Sequence, residues 1–365
     1  MIYDFVIIGG GATGLFSSIF APSNSKKVIL EKNNNPGVKV LLSGGERANI
    51  TNINIDPQND YFGQNKKAMI SILKRFSQYD TISFFEEGGI RTVEEDRGRI
   101  ILESGDSKEL LNFLLKKSKE NNTEIKTNFE VINIEKRDEL FYISSSLGEE
   151  VIGKKVLVSA GGKSFFQVGT KGDSYVFAEK FGLNMVNPYR ALSAFVLNQD
   201  LSLLSGVSLN VNLDVLDKIT GKNIYSEFGP LLFTHFGISG PIVFNASSAL
   251  GSYINKTYNS EEQGYLNILI KLNFNVNNTP KRVVKFFNLT EENRIITLNL
   301  QNLRSWKEAK LTGGGVLLDN LDNNLQSKTI SGLYFAGECL DITGKTGGFS
   351  LQLAWSSGFI VGKDI

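Results

Sequence analysis

Two glycine-rich segments, far apart along this 365-residue chain, constrain its fold more than any other feature. The first, IIGGGATG, spans residues 7–14, and the second, AGECLDITGKTGGFSLQLAWSSG, spans residues 336–358. Before the first lies the apolar run YDFVII, which predicts a strand buried on both faces. Residues 15–20 after it suit a helix, and a second apolar run, Val28 to Leu30, ends in Glu31. The N-terminal pattern is therefore strand, glycine turn, helix, strand and acid.

Gly9, Gly11 and Gly14 have the G-x-G-x-x-G spacing. In a dinucleotide site one glycine makes the tight turn, the next lets the pyrophosphate approach, and the third lets the helix pack closely. The phosphates lie at the helix N-terminus, where free N–H groups and the helix dipole favour anions. Glu31 is placed to accept from ribose hydroxyls. The alternative is a structural glycine turn, and the motif alone does not choose between NAD and FAD.

The second glycine segment repeats this layout. Gly332 to Ala336 predicts a strand, and Glu338 follows it closely. Apolar or small residues then recur at helical spacing, which predicts a helix that begins near Gly348; these residues are Leu351, Ala354, Trp355 and Gly358. A helix N-terminus stabilises the negative charge of a reduced flavin ring, and NAD has no comparable need. We interpret the segments as two halves of one FAD site, against the alternative of an ordinary turn.

Three further segments lie between these two: GVKVLLSGGERANITN, SAGGKS and THFGISGP. With GGGATG and GLYFAGECLDITGKTGGFSLQLAWSSG, they resemble in order the motifs of the YhiN/BaiN-type bacterial flavoproteins, over nearly the whole chain. The resemblance implies an FAD-dependent oxidoreductase of the α/β class. It also implies a discontinuous Rossmann-like FAD domain, an inserted β-rich, barrel-like domain and a helical segment.

The chain departs from that family pattern at four places. Glu46 replaces a glycine and Ala48 replaces a cysteine, so the loop offers no thiol. Phe349 and Ser350 replace a tyrosine and an asparagine. The helical insert is short, because only about residues 279–306 are available for it, and this leaves open how access to the flavin is shaped.

We expect an FAD domain at residues 1–190 and 310–365 and a β-rich domain at 191–309, with its short helical segment near 279–306. The expected helices are Lys66 to Glu87, Ser107 to Asn121 and Thr279 to Leu289, and Glu124 to Val158 is expected to form a β-meander. Strand candidates in the second domain are Val207 to Leu216 and Leu266 to Lys271.

The glycine motifs and the resemblance together define an expected FAD site. The residues that we expect to contact FAD are Gly9, Gly11, Ala12, Gly14, Glu31, Lys32, Lys39, Ser43, Gly44, Arg47, Asn49, Thr51, Val131, Ala160, Gly161, Gly337, Glu338, Asp341, Gly347, Gly348 and Phe349.

A proton donor is less well marked in the sequence. His235, in the THFGISGP segment, is the catalytic candidate, against a purely structural role in a glycine–proline turn. Lys345, a tyrosine or water are alternatives. Cys339 has no partner cysteine, so a buried filler is expected rather than a redox thiol.

Composition narrows the remaining classes. The single histidine and single cysteine argue against a metal cluster or a disulfide, and we expect no metal. We expect no signal peptide and no membrane span, and we therefore expect a cytoplasmic protein. The net charge of +1 leans slightly against a large RNA footprint, although a local basic patch could exist within it.

The expected activity is transfer of hydride from NAD(P)H through flavin N5 to a conjugated C=C bond. The resemblance leaves two substrates open, an enone-like small molecule and uridine in ribosomal RNA. NAD(P)H is expected to dock transiently, because no second G-x-G-x-x-G segment is present. The alternative is a flavin-binding protein without turnover, acting as an interaction or sensor module. Oligomeric state is not indicated.

Overall fold

The computed structural model of the protein describes residues 1–45 and 47–365. The chain forms two compact units: Met1–Val186 with Gly314–Ile365, and Asn187–Gly313. The first unit has a largely parallel sheet and the second a closed β-barrel, so the α/β class with an inserted barrel is confirmed. The boundaries expected from the sequence remain predictions of how the chain divides into domains.

The first part of the larger unit alternates strands and helices. Its elements are β1 (Ile2–Ile8), α1 (Ala12–Phe20), β2 (Lys27–Leu30), α2 (Val38–Leu41), β3 (Asn49–Asn52), β4 (Tyr61–Phe62), α3 (Lys66–Arg75), α4 (Gln78–Glu87), β5 (Thr92–Glu95), β6 (Arg99–Leu102), α5 (Ser107–Glu120), β7 (Thr123–Lys126), β8 (Val131–Arg137), β9 (Leu140–Ser145), β10 (Glu150–Val158) and α6 (Asp173–Lys180).

Two of these elements differ from the sequence prediction. Residues 66–87 were expected to form one helix but form two, because the chain breaks at Phe76 and Ser77 caps α4. The Ser77 side chain accepts from the backbone of Asp80, whose carboxylate accepts from Ser77 in return. The expected meander holds for β8, β9 and β10, but β7 pairs in parallel with β2 and is not part of it.

The chain then passes through the smaller unit and returns. The elements are β11 (Met185–Ala191), β12 (Phe195–Leu197), β13 (Ser208–Asp217), β14 (Asn223–Thr234), β15 (Gly237–Ser239), α7 (Pro241–Thr257), α8 (Glu261–Leu266), β16 (Ile268–Asn273), α9 (Lys281–Phe287), β17 (Ile295–Leu303) and β18 (Leu311–Val316). The last elements are β19 (Leu333–Phe335), β20 (Thr343–Gly344) and α10 (Phe349–Asp364).

Six strands close the barrel in the order β12, β15, β14, β13, β16, β17. Inward side chains alternate along the strands and fill the interior, as Val211, Leu213 and Val215 do on β13. The expected helical segment at 279–306 is α9 alone, because residues 295–303 form the closing strand β17. Within the barrel unit two helices were missed: α7, which begins at Pro241 directly after Gly240, and the short α8.

The core of the larger unit joins the beginning and the end of the chain. β1 pairs in parallel with β2 and β10, and β10 pairs in parallel with β19. α10 packs against α1 at two glycines: a Cβ at Gly358 would lie 2.8 Å from the carbonyl oxygen of Thr13, and one at Gly362 would overlap that of Ser17. The buried strands and these two glycines bring the two glycine-rich segments to one edge of the sheet.

Candidate functional site

The first glycine loop lies where β1 ends. Gly9 has a φ of +101°, and a Cβ on Gly14 would overlap the carbonyl oxygen of Gly9. Gly11 caps α1, whose first residue is Ala12. In the described part of the chain, no atom lies within 4 Å of the position that a Cβ on Gly11 would take. The loop therefore has open space at Gly11 and none at Gly14, as close approach of a ligand at the second glycine requires.

Glu31, at the end of β2, is buried and hydrogen-bonded to this loop. Its Oε2 accepts from the Gly10 N–H at 2.9 Å and its Oε1 accepts from the Asn33 N–H at 2.8 Å. A carboxylate has about four lone-pair positions, so each oxygen keeps capacity for another donor. Glu31 thus fixes the glycine loop and still offers acceptors beside it.

The second glycine loop lies at the same edge of the sheet. Val158 of β10 pairs with Ile8 on one side and with Phe335 on the other, so the residues after all three strands are neighbours. These include two more expected site residues, Ala160 and Gly161, and also Gly337. Gly337 has a φ of +80°, and its N–H donates to Ser357 Oγ of α10 at 3.0 Å.

α10 begins at Phe349, as the sequence predicts. Gly348 before it has a φ of +105°, and a Cβ there would overlap the Thr51 carbonyl oxygen. The side-chain nitrogen of Asn49 donates to that same oxygen at 2.9 Å. The side-chain oxygen of Asn49 accepts from the Gly348 N–H at 3.2 Å. Tyr61 donates to the carbonyl of Phe349 at 2.9 Å, and burial raises the pKa of this tyrosine well above its usual range. Segment 36–52 and the start of α10 are thus locked together.

A charged cluster joins three segments of the site. The ammonium of Lys39 in α2 pairs with Glu338, and it also donates to Ser164 Oγ at 3.0 Å. Ser164 Oγ in turn donates to Glu338 Oε1 at 2.8 Å. Lys39 lies 5.3 Å from the centre of the Phe165 ring. Lys39 and Glu338 were expected from the sequence, but Ser164 was not, because it lies 125 residues from Lys39.

A buried glutamine network supports the same region and was also missed. Gln352 Oε1 accepts from Thr51 at 2.6 Å and from Thr81 at 2.9 Å, while its nitrogen donates to the Phe76 carbonyl at 2.9 Å. The expected contact residue Thr51 therefore has its hydroxyl bonded within the protein. Gln352 lies one helical turn after Phe349, and this spacing was the available signal.

The remaining expected residues are distributed around this edge. Lys32 pairs with Asp173. Val131 begins β8 and is buried. Asp341 is buried and accepts from the Gln64 N–H at 2.8 Å.

Arg47 is exposed and pairs with Glu95 at 2.8 Å. Gly44 and Gly347 have positive φ, and Ala48, at the position of the family cysteine, is buried with a φ of 54°. Glu46 lies outside the described residues.

These observations are consistent with a bound FAD. In addition to the open space at Gly11, there is a buried hydroxyl, Ser43 Oγ, that has no hydrogen-bond partner among the described residues. A buried hydroxyl without a partner is costly, so it marks a place where a ligand atom would bond. Ser43 belongs to the segment that the sequence assigns to the cofactor.

A comparison with family models identifies the chain. The model of the HI0933-like protein Rossmann domain matches residues 3–364. The chain belongs to the HI0933-like family. The resemblance found in the sequence is thereby confirmed. The expectation of an FAD-dependent oxidoreductase with a Rossmann-like domain is confirmed as well.

Relatives of this HI0933-like protein extend over its whole length. It is 30% identical to the ribosomal RNA dihydrouridine synthase of Escherichia coli K12, covering 100% of this chain and 98% of that one. It is 26% identical to the 3-dehydro-bile acid delta(4,6)-reductase of Clostridium scindens, covering 98% and 97%. The fold is shared with the 3-ketosteroid-delta4-(5alpha)-dehydrogenase from Rhodococcus jostii RHA1 at a TM-score of 0.54, with 12% identity and coverage of 99% and 96%.

The proton-donor candidates of this HI0933-like protein differ in their surroundings. His235 belongs to the barrel unit, in the β14–β15 turn, where its exposed ring contacts Phe236 edge-on at 5.1 Å between centres. Lys345 is held in a partly buried ion pair with Asp60 at 2.8 Å. Burial raises the pKa of the Cys339 thiol to about 12, and its Sγ lies 3.2 Å from the Ala336 carbonyl. Cys339 therefore stays a protonated, buried side chain.

Two further features concern the partners expected from the sequence. Within residues 1–45 and 47–365, no helix is both long and apolar enough to cross a membrane. In the same residues, no three His, Cys, Asp or Glu side chains are grouped so that they could hold a metal ion.

Proposed function

We propose that this protein uses FAD to reduce the C=C bond of a uridine in ribosomal RNA, with NAD(P)H as the electron donor. The observation that carries the proposal is the end-to-end similarity to the E. coli ribosomal RNA dihydrouridine synthase, at 30% identity. The alignment covers 100% of this chain and 98% of the E. coli protein. A cytoplasmic location, where ribosomal RNA and NAD(P)H meet, belongs to the proposal.

The chain's own residues would hold FAD from two sides. The loop around Gly11 and the N-terminus of α1 would receive the pyrophosphate, and Glu31 would accept from the ribose. Segment 36–52, with Ser43, and the start of α10 would hold the flavin half. Bound FAD supplies hydride transfer to an electron-poor carbon of a conjugated C=C bond.

The protein must also deliver a proton to the neighbouring carbon. His235 remains our candidate, because its imidazole is exposed and imidazole is the side chain that enzymes use most often for proton transfer. Lys345 is already paired with Asp60, and Cys339 is buried and protonated, so neither is as available. A His235→Gln variant is expected to retain FAD and its reduction by the donor but to lose at least tenfold in the rate of substrate reduction.

The second candidate substrate is an enone-like small molecule. It is favoured by the similarity to the C. scindens reductase, whose name describes action on a 3-dehydro-bile acid, at 26% identity over nearly the whole chain. The alternative of a flavin-binding protein without turnover has no comparable support, because both named relatives are enzymes.

The test begins with the visible spectrum of the purified protein after FAD is added and the excess removed. We expect retained flavin bands that NADPH or NADH bleaches in the absence of oxygen. The reduced protein is then incubated with ribosomal RNA from a strain that lacks its own such enzyme. Mass spectrometry of the nucleosides should show a uridine that has gained two hydrogen atoms.

The matched control is the Gly11→Val variant, which should fold without binding FAD. The RNA proposal would be overturned in favour of the small molecule by the following result: NAD(P)H bleaches the flavin bands, ribosomal RNA stays unchanged, and the C=C bond of a 3-oxo-Δ4 steroid is reduced. A protein that retains no flavin after reconstitution would overturn both.

A further inference from the structure

The shortened helical segment of the barrel unit carries an unusual surface. α9 has only seven residues, KRVVKFF, and its apolar side chains anchor it to the barrel. Val283 is fully buried, and Phe287 packs against Phe233 of β14 with ring centres 6.1 Å apart. Because the inward face is fixed this way, the three basic side chains of the helix are presented to solvent.

These three side chains are Lys281, Arg282 and Lys285, which we call the α9 basic face. All three are exposed, and none forms an ion pair within 4.0 Å with any carboxylate of the described residues. The nearest acids along the chain are Glu291 and Glu292, and Glu291 instead accepts from Asn277 at 3.2 Å. By contrast, Arg190 and Arg304, elsewhere in the same unit, are paired with Glu261 and Glu308.

The distribution of charge between the two units points the same way. Residues 187–313 contain 12 Lys and Arg and 9 Asp and Glu, a net charge of +3, whereas the rest of the chain has a net charge of −2. The total of +1 therefore conceals a basic barrel unit. Phe286, half-buried beside Lys285, adds an aromatic ring to the basic face. Cations interleaved with aromatic rings suit a single-stranded nucleic acid, whose phosphates pair and whose bases stack.

We propose that the α9 basic face binds the phosphate backbone of a single-stranded segment of the RNA substrate. The proposal rests on the proposed function and assigns the RNA contact to residues 281–286. In this chain the short α9 stands where the family resemblance implies a longer helical insert. It carries three cations, none of which pairs with a carboxylate of the described residues.

The test measures binding of FAD-loaded protein to a fluorescein-labelled single-stranded RNA of mixed sequence, by anisotropy, at a series of salt concentrations. The variant K281Q/R282Q/K285Q removes the three charges from an exposed face. The matched control K108Q/K116Q/K119Q removes three exposed lysine charges from α5, in the other unit. Retained FAD absorbance and an unchanged unfolding midpoint verify that both variants are folded.

We expect the α9 variant to bind RNA about tenfold or more weakly at 100 mM salt. The negative slope of log K against log salt should become shallower by about 2, because three phosphate contacts are lost and each contact on a single strand contributes about 0.7. The control should keep the wild-type affinity and slope. Equal losses in both variants would mean non-specific attraction, and an unchanged α9 variant would place the RNA elsewhere; either result overturns the assignment.

The two proposals fail in distinguishable ways. If the wild-type protein binds no RNA at 50 mM salt yet reduces the C=C bond of an enone with NAD(P)H, both the RNA-binding role of the basic face and the proposal of a ribosomal RNA substrate are wrong. If RNA binding depends on α9 but no uridine is reduced, the surface stands and the proposed reaction does not. If uridine is reduced equally by the wild type and the α9 variant at limiting RNA, the reaction stands and the surface assignment is wrong.

Discussion

The loop after β1 and the loop before α10 are both rich in glycine, but the atoms around their glycines differ. At Gly11 a side chain would meet open space, and its φ of −83° is accessible to any residue. At Gly348 a side chain would overlap the Thr51 carbonyl, and the φ of +105° is one that residues with a Cβ rarely adopt. At Gly11 the proposed cofactor would explain why a glycine is required, whereas at Gly348 the protein itself does.

This difference separates two roles that a sequence motif merges. A glycine that leaves room for a cofactor can be replaced without loss of stability, and only binding suffers. A glycine at which two chain segments touch cannot be replaced without disturbing the fold. Gly14 belongs with Gly348 in this respect, because its Cβ would overlap the carbonyl of Gly9.

The largest effect is expected for Gly348→Val. The left-handed backbone and the overlap with Thr51 should together lower the free energy of unfolding by about 3 kcal/mol or more, and flavin binding should be lost with it. Denaturant unfolding of the apoprotein measures the change. The matched control is Gly182→Ala, where φ is also positive at +71° but no atom lies within 4 Å in the described residues; about 1 kcal/mol is expected there.

Gly11→Val should show the opposite pattern. The apoprotein should unfold within about 0.5 kcal/mol of the wild type, since nothing in the described chain contacts the new side chain. FAD affinity should fall on the order of a hundredfold or more, because the pyrophosphate can no longer approach the backbone. Titration of the apoprotein by quenching of FAD fluorescence measures this. Unchanged affinity would show that the pyrophosphate binds elsewhere and would remove the contrast between the loops.

Glu31→Ala should affect both properties moderately. The backbone N–H groups of Gly10 and Asn33 would lose their acceptors, which costs roughly 1–3 kcal/mol of stability. Loss of the ribose acceptor should weaken FAD about tenfold. The control is Glu103→Ala, an exposed carboxylate that pairs only loosely with Arg91 at 3.5 Å. If stability falls but FAD affinity does not, Glu31 serves the loop alone.

The smallest effect is expected at Cys339, close to the second loop. Burial raises the pKa of the Cys339 thiol to about 12, so very little reactive thiolate is present at pH 8. Iodoacetamide should therefore not label the folded protein within an hour, but should label it fully in denaturant. Cys339→Ala should keep FAD and NAD(P)H-dependent bleaching. Rapid labelling of the native state would mean that the region around the second loop opens in solution.

The sequence predicted elements whose signals are local. β1, α1 and β2 follow from one apolar strand, one glycine turn and one acid, and the helix expected at residues 107–121 is α5, which Asp106 caps. The single helix expected at 66–87 was wrong because apolar periodicity continues across the break at Phe76, and the capping pair of Ser77 and Asp80 was overlooked. The strand β17 was hidden by the expectation of a helical insert.

The site was predictable where glycine and charge mark it and not where distant polar groups complete it. Ser164 ends the SAGGKS motif and Gln352 lies one helical turn after Phe349, but neither pattern indicates their partners, which lie 125 to 301 residues away. The structure also changes how predicted residues are understood. Thr51 and Arg47 bond to protein groups, Gln352 and Glu95, so their contact with FAD remains a prediction.

The packing of α10 on α1 has a consequence for how the protein is made. Ribosomes release residues 349–364 only after all of the barrel unit has been synthesised, and until then the groove of α1 near Thr13 and Ser17 has no partner. The barrel, whose six strands all lie between residues 195 and 303, has every strand it needs before that moment. If FAD binds both glycine segments, as we propose, its loading is a late event in the life of each chain, and a nascent chain interrupted before β19 would carry a completed barrel and only the first half of the cofactor site.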